Sequence, residues 1–427
     1  MSDLRTTLEQ RRRAHVPDPG AFDRLVRRRR SKERNQRIAT IVVALAISGA
    51  GIWALVQAGS SRSPAAPTID RSTVGRLDVA WTSAVGGATA PVIAGDLAFV
   101  GSESGVLYAL DVRTGNIVWL GRLGSPIASE AAVSGNRVFV HTAAGVLAAF
   151  EVACGAGGAT CLPSWTARTG GDGAPPLAAG DLVLVSTGRR LLAFDASCGT
   201  GGELCEPSWR GVAEPVSGTG PSAAPALADG TVWTVLGEDA TIFPMPCPAP
   251  DGGRCEAVNH RFTGVVSTGP VVGGGMAYLG STGGYVYGFP ADCTTACETI
   301  WRALATEPTE PAVADGIVYV SGAPDGGLAA VPQDCRSNGA VCAPIWTGDL
   351  NGSPTSRVLV SDGLVYIGSS DGSLYAFPAT CDARCDPLAA IRIGASVETP
   401  AIWQDRAVLV TARDGTLRAL TVDGRGP

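Results

Sequence analysis

Twelve cysteines, three histidines and a few isolated carboxylates are the side chains of this 427-residue chain that could do chemistry. The cysteines form six close pairs: Cys154/Cys161, Cys198/Cys205, Cys247/Cys255, Cys293/Cys297, Cys335/Cys342 and Cys381/Cys385, and no two are adjacent. An even number in repeated local pairs is a disulfide pattern, each bridge expected to pin one hairpin loop. Zinc would need four converging ligands, whereas the pairs lie about 40–50 residues apart, and only His15, His141 and His260 could help. His141 follows a short apolar strand with no Ser or Cys nucleophile arrangement near it or near Glu151, so it reads as a rim or inter-blade residue. Asp325-Gly326, Asp371-Gly372 and Asp414-Gly415 each offer one acid, too few oxygens for a calcium loop and the right composition for hairpin turns. Two carboxylates stand apart: Glu130 and Glu310 each immediately precede the start of an apolar strand.

The cysteine pairs mark a repeat. Runs of four to six residues rich in Val, Tyr, Leu and Ile alternate with Gly-rich turns, as in VVGGGMAYLGSTGGYVYGFPADCTTACETIW and VLVSDGLVYIGSSDGSLYAFPATCDARCDPLAAIRI. These are strand and hairpin signals, and no helical periodicity interrupts them after residue 57. First strands are expected near Pro91, Ala131, Pro176, Pro225, Pro270, Pro311, Pro354 and Pro400, which makes eight units. The 352 residues from 76 onward then average 44 per unit, the size of a four-stranded propeller blade. The last unit has only three strands, while Leu77-Asp78-Val79-Ala80-Trp81 is an orphan strand before the first. It is expected to supply the missing fourth strand and close the ring. The expected fold is all-β: an eight-bladed β-propeller of four-stranded antiparallel blades.

That ring places the two glutamates. The innermost strand of a blade lines the central channel. The residues before the first strands are mostly small (Ala90, Ala224, Gly269, Ser353, Thr399), but units two and six carry Glu130 and Glu310. Four units apart in a ring of eight, they should face each other across the axis, where they could hold a cation or a basic partner side chain. Solvated acids, or acids paired with a local arginine, are the simpler alternative.

The segment GDLAFVGSESGVLYALDVRTGNIVW resembles the repeats of the pyrroloquinoline-quinone (PQQ) propeller superfamily. Ala109, Asp111, Thr114, Gly115 and Trp119 fit that family's tryptophan-docking pattern A-x-D-x-x-T-G-x-x-x-W. The resemblance implies a Trp packed between blades and an Asp and Thr-Gly turn before the last strand. It extends over residues 76–427 and implies two kinds of role. Quinoprotein dehydrogenases bind PQQ and calcium and oxidise alcohols or sugars. The propeller lipoprotein of the outer-membrane barrel-assembly machinery binds protein and is no enzyme. The sequence departs from the first: it has no vicinal Cys-Cys pair and little room for insertions. No catalytic, cofactor-binding or metal residue can be placed, and no cofactor is expected unless PQQ with calcium under the enzymatic reading.

Charge divides the chain. Residues 1–37 carry 12 Lys+Arg against 5 Asp+Glu, and the rest carries 21 against 34. An acidic wheel does not suit nucleic acid. Between the halves, IATIVVALAISGAGIWALV (38–56) has no charge and as a helix would span about 28 Å. Arginines crowd its N-terminal side, which puts the N-terminus in the cytoplasm; a cleaved signal peptide would have a shorter apolar run. The expected organisation is a basic cytoplasmic tail (1–37), a transmembrane helix (38–57), a linker (58–75) and an extracytoplasmic propeller (76–427) of a single-pass bacterial membrane protein. Phe22, Leu25 and Val26 could present one face of a tail helix to a cytoplasmic regulator. The expected function is a non-catalytic scaffold binding protein or cell-envelope ligands on a propeller face. The alternative is a PQQ-dependent oxidoreductase, and a third reading is transmembrane signalling with the propeller as sensor.

Overall fold

The computed structural model describes residues 67–426 apart from 88, 128, 172–173, 188–189, 214–222, 229, 248–252, 261–264, 294–296, 325–326, 336–339 and 399, with the backbone alone of 258–260. The basic tail, the apolar run 38–57 and Asp325-Gly326 lie outside the described residues. Among those described, no helix is long and apolar enough to cross a membrane.

Eight antiparallel sheets follow one another along the chain. Their inner strands are Val92–Ala94, Ala132–Ser134, Leu177–Ala179, Ala226–Ala228, Val271–Gly273, Ala312–Ala314, Leu359–Ser361 and Ala401–Trp403, which define blades 1 to 8. Inner strands of neighbouring blades approach one another at most steps of the ring. Second and third strands are apolar almost without interruption. Arg137–His141 (RVFVH) and Ala407–Ala412 (AVLVTA) are buried along nearly their whole length. A blade is covered on both faces by its neighbours, so its central strands need apolar side chains on both sides, and the alternation of a half-exposed strand disappears. The core is correspondingly divided. Phe99 and Trp119 of blade 1 pack with Val138, Val140 and Phe150 of blade 2, and the same holds at each step around the ring.

The eighth step closes the circle. Leu77–Ala84 pairs antiparallel with Thr416–Val422, from Leu77 opposite Val422 to Ala84 opposite Thr416, and becomes the fourth strand of blade 8. Trp81 donates its Nε1 hydrogen to the carbonyl of Val112 in blade 1 (2.9 Å), and the Ser83 hydroxyl donates to the Gly115 carbonyl (2.6 Å). Gly115 has φ +71°, and a Cβ there would stand 2.5 Å from the Trp81 ring. Val85, Ala98, Val100, Leu110 and Leu409 fill the core beneath.

Three features differ from the sequence expectation. The first concerns the cysteine loops. The pairing itself is as expected: Cys154–Cys161, Cys198–Cys205, Cys247–Cys255, Cys293–Cys297, Cys335–Cys342 and Cys381–Cys385 are all disulfides, with Cα atoms about 6 Å apart. The role is wider than pinning one hairpin loop. Blades 1, 2, 3 and 6 have five strands rather than four, because the Cys loop of each following blade lays a short parallel strand on the outer edge of the blade before it. Ala159–Cys161 pairs with Ile117–Arg122, Glu203–Cys205 with Trp165–Arg168, Arg254–Glu256 with Trp209–Val212, and Ala383–Cys385 with Trp346–Gly348. Cys255 thus sits within a strand of blade 3, buried in the core shared by blades 3 and 4.

The other two bridges reach the preceding blade without adding a strand. Cys342 is buried, and its amide donates to the Arg302 carbonyl on the outer strand of blade 5 (2.9 Å). Cys297, with Cys293, packs against the core that Trp233 and Ile242 of blade 4 share with Leu279 and Phe289 of blade 5. Each bridge therefore holds a loop that covers the neighbouring blade, and in four cases that loop caps an otherwise unpaired sheet edge. The sequence reading missed this because spacing names a cysteine's partner but not the surface its loop lies on.

Second, the inner strand of blade 7 begins at Leu359, not near Pro354, which forms only an isolated bridge with Ser369. Third, residues 67–75, expected to be linker, lie on the wheel. Ile69 and Val74 are buried in the core shared by blades 7 and 8, and the Ile69 amide donates to the Asp405 carbonyl (2.6 Å).

Replacing Cys154 and Cys161 together by serine should lower stability by about 2–3 kcal/mol from loop-closure entropy. It should also speed amide exchange in Ile117–Arg122 of the blade before. Exchange mass spectrometry reads the second effect; protection in that strand equal to wild type would mean the bridge acts within its own loop only.

Candidate functional site

In each blade the residue two places before the inner strand stands at the mouth of the channel. Among the described residues these are Ala90, Glu130, Pro175, Ala224, Gly269, Glu310 and Arg357. The residue before each is often a hydroxyl that ties the strand start to its own blade. The Gly101 amide donates to Thr89 Oγ1 (3.0 Å), the Gly280 amide to Thr268 Oγ1 (2.8 Å), and the Gly368 amide to Ser356 Oγ (2.8 Å). The mouth residues are thus held in a fixed rim by local bonds.

The structure brings Glu130 and Glu310 to one guanidinium. Arg357 Nη2 lies 2.8 Å from Glu130 Oε2, and its Nη1 lies 3.8 Å from Glu310 Oε2. The position expected to await a cation or a partner's basic side chain is occupied by an arginine of the chain itself. It is not a local partner: it comes from blade 7 and reaches blade 2 across the axis and blade 6 beside it. Glu310 Oε1 lies against Gly269 of blade 5, whose amide favours the ionised carboxylate. A Cβ at Gly269 would stand 2.5 Å from Glu310 Oε1, so glycine leaves the carboxylate its place. Burial pushes the Glu310 carboxyl above its ordinary range, the Arg357 charge opposes this, and the Glu130 charge adds to it.

Arg357 is the residue that the sequence expectation lacked, because Ser353 stood in its place. Blade 7 has no proline at its inner strand, and Pro354 lies four residues too early. Aligning VLVSDGLVYIG (358–368) with PVVGGGMAYLG (270–280) puts Val358 opposite Pro270 and Arg357 opposite Gly269, which would have revealed it.

A cleft of about 590 Å³ opens beside the ion pair and is lined by Glu103, Ser129, Glu130, Pro175, Glu398 and Arg413 among others. Glu398 is paired with Arg413 (3.4 Å). A second, apolar hollow of about 500 Å³ lies at the opposite ends of blades 4 and 5, around Leu227, Val272 and Ala291.

The remaining expected positions have structural surroundings. Trp119 is fully buried between Phe99 and Phe150, ring centroids 5.8 Å away on each side. Its Nε1 donates to the Val152 carbonyl of the next blade (2.8 Å). Asp111 Oδ1 accepts from the Arg113 and Thr114 amides and the Thr114 hydroxyl, and Ala109 is buried. Blade 4 lacks the outer-strand Trp, and Trp233 of its second strand donates to Ala291 instead (2.9 Å). His141 is buried between blades 2 and 3, with Nε2 2.7 Å from Thr169 Oγ1 and Nδ1 3.1 Å from the Ala174 carbonyl. Asp371 and Asp414 bind their own hairpins, through Ser373 and Tyr375 and through Thr416 and Arg418. Among the described residues, no group of three or more His, Cys, Asp or Glu could hold a metal ion.

Comparison with known proteins agrees with this architecture. The PQQ_2 family model, described as outer membrane protein assembly factor BamB, matches residues 39–200. No curated protein matches the chain. Among solved structures, BamB from Moraxella catarrhalis is similar over 81% of this chain and 99% of its own, at 16% identity and a TM-score of 0.62. The computationally designed Ika8 protein is similar over 79% and 97%, at 13% identity and 0.61. Quinohemoprotein alcohol dehydrogenase from Comamonas testosteroni is similar over 84% and 78%, at 13% identity and 0.58. At such identities the likeness is one of fold, and a designed protein among them underlines that the fold alone implies no activity. With that match over residues 39–200 and an inter-blade tryptophan in the docking pattern, the first part of the chain resembles the PQQ-like repeats, and the whole folds as a closed propeller of eight blades.

Proposed function

We propose that the protein is a non-catalytic binding scaffold of the cell envelope, tethered by its apolar segment 38–57 and engaging a protein through a face of the wheel. The observation that carries this reading is the occupied axis. The one place where eight blades converge is spanned by Arg357 between Glu130 and Glu310, so the centre is spent on holding the wheel together. The extent of the fold supports it, since the chain covers 99% of the BamB structure and 78% of the dehydrogenase.

The dehydrogenase likeness favours a second reading, a PQQ-dependent oxidoreductase. The residues at the axis do not fit that cofactor. PQQ carries three carboxylates, and the mouth offers Glu103, Glu130, Glu310 and Glu398, with Arg357 and Arg413 both engaged by acids. Carboxylates already gathered at the mouth oppose the entry of further anionic groups.

One experiment separates the two. The full-length chain is incubated with PQQ and calcium, desalted, and assayed for retained chromophore and for dye reduction with alcohols and sugars. In parallel, in-cell cross-linking and purification identify its neighbours. The scaffold reading expects no retained chromophore, no turnover and a reproducible envelope protein cross-linked to the wheel. Stoichiometric chromophore with turnover would overturn it.

A further inference from the structure

The axial ion pair is unbalanced in number and in geometry. Two carboxylates share one guanidinium, at 2.8 Å for Glu130 and 3.8 Å for Glu310. The three residues come from blades 2, 6 and 7, so the pair ties blade 2 to two blades with which it shares no strand. The side chains are only partly exposed: 38% for Arg357, 23% for Glu130 and 30% for Glu310. Water therefore screens them incompletely, and one cation is divided between two anions. We propose that Glu130, Glu310 and Arg357 form a proton-operated clasp at the mouth of the channel, in which protonation of Glu310 frees the guanidinium from its second carboxylate and leaves the contact with Glu130.

The surroundings single out Glu310 as the group that takes the proton. It makes the longer contact to Arg357, so the guanidinium holds its charge less firmly. The charged groups acting on it are Arg357 from blade 7 and Glu130 from blade 2, and the Gly269 amide of blade 5 favours its ionised form. The mouth positions of blades 1, 3 and 4 are Ala90, Pro175 and Ala224 and bring no charge. Glu103 of blade 1 and the Glu398–Arg413 pair of blade 8 face the cleft on the Glu130 side. Burial raises the proton affinity of Glu310, consistent with this order.

The clasp has two states. With Glu310 ionised, Arg357 is shared and blades 2, 6 and 7 are linked through one cation. With Glu310 protonated, Glu130 is the ionised carboxylate left beside Arg357, and the mouth carries one negative charge fewer. The change alters how strongly the cleft beside Glu130 attracts cationic groups, and it does so without a change of fold. It holds whether or not the scaffold reading does.

The sign of the pH effect follows from linkage. A carboxyl whose affinity for a proton is higher in the folded than in the unfolded chain binds its proton first in the folded state. Stability therefore rises as pH falls from the folded-state pKa toward the ordinary glutamate value, and this contribution is absent at higher pH. The test compares full-length wild type, Glu310→Gln, Glu130→Gln and the double variant by thermal unfolding between pH 4 and 8. Glu310→Gln mimics the protonated state, so it should melt a few degrees above wild type at pH 7.5, with the difference vanishing toward pH 4. Adding Glu130→Gln removes the neighbouring negative charge, so the step between the curves with and without Glu310→Gln should move to lower pH. A Glu310→Gln difference that is independent of pH, or of opposite sign at neutral pH, would overturn the clasp. So would a step that stays in place in the Glu130→Gln background.

Discussion

Replacing Trp81 by alanine will lower the unfolding free energy by about 3 kcal/mol, the lower end of the range for a buried tryptophan because this ring is partly exposed. It will do so by weakening the only seam of the ring that joins the two ends of the wheel. Seven other seams are crossed by the continuous chain. At this one the wheel is held by the ladder between Leu77–Ala84 and Thr416–Val422, the Trp81 and Ser83 bonds to blade 1, the Arg76–Asp423 ion pair, and Arg113 over the Trp403 ring at 5.4 Å. Closing a loop of this length costs entropy that grows only slowly with length, but here local bonds must meet the whole of it. The variant should therefore show a lower denaturant midpoint together with tryptic cleavage at Arg76 under native conditions. Gly115→Ala should do similar damage from the other side, because its methyl would stand 2.5 Å from the Trp81 ring in a backbone conformation of φ +71°. The two substitutions act on one contact, so the double variant should lose less than the sum. A Trp81→Ala protein with an unchanged midpoint and an uncut Arg76 would show that the seam does not limit stability.

The second large effect is expected at Arg357. Arg357→Met keeps much of the length of the side chain and removes its charge, leaving Glu130 and Glu310 opposed with no cation between them. Breaking a fully buried ion pair by removing one partner costs about 3–5 kcal/mol. These groups are partly solvated, so a loss of about 1–2 kcal/mol at pH 7.5 is the expectation after allowing for screening. The loss should shrink as the medium is acidified, because protonating either carboxylate ends the repulsion. It should also be largely recovered by adding Glu310→Gln at neutral pH. Chemical denaturation of the single and double variants at pH 7.5 and pH 5 measures both. A loss that is the same at the two pH values, and not recovered in the double variant, would assign Arg357 a packing role through its aliphatic stem rather than an electrostatic one.

Several features were legible in residue order alone. Strand runs such as LVYIG and hairpin turns such as Asp371-Gly372 are written in consecutive residues, and their spacing led to eight blades. The orphan Leu77–Trp81 announced where the ring closes. The cysteine partners were legible for the same reason, since each pair is four to eight residues apart. The parallel fifth strands were not. Whether Ala159–Cys161 adds to the edge of its own blade or of the one before depends on how blades stack, and nothing within the loop encodes that. The contacts of Cys255, Cys297 and Cys342 with the preceding blade were hidden for the same reason. Trp233 was likewise concealed, because it reaches the same kind of carbonyl as the outer-strand tryptophans from a different strand.

What the sequence determined by itself is therefore the set of local structures and their number: hairpins, turns, bridged loops, and the count that makes a closed wheel. What only the tertiary structure decided is convergence. Glu130, Glu310 and Arg357 belong to three blades, and a repeat with one missing proline was enough to conceal the third of them. The physical reason is one of range. Turn chemistry and strand periodicity act between residues a few positions apart. The meeting of two carboxylates and a guanidinium depends on the radius of the ring and on how far an arginine reaches across it.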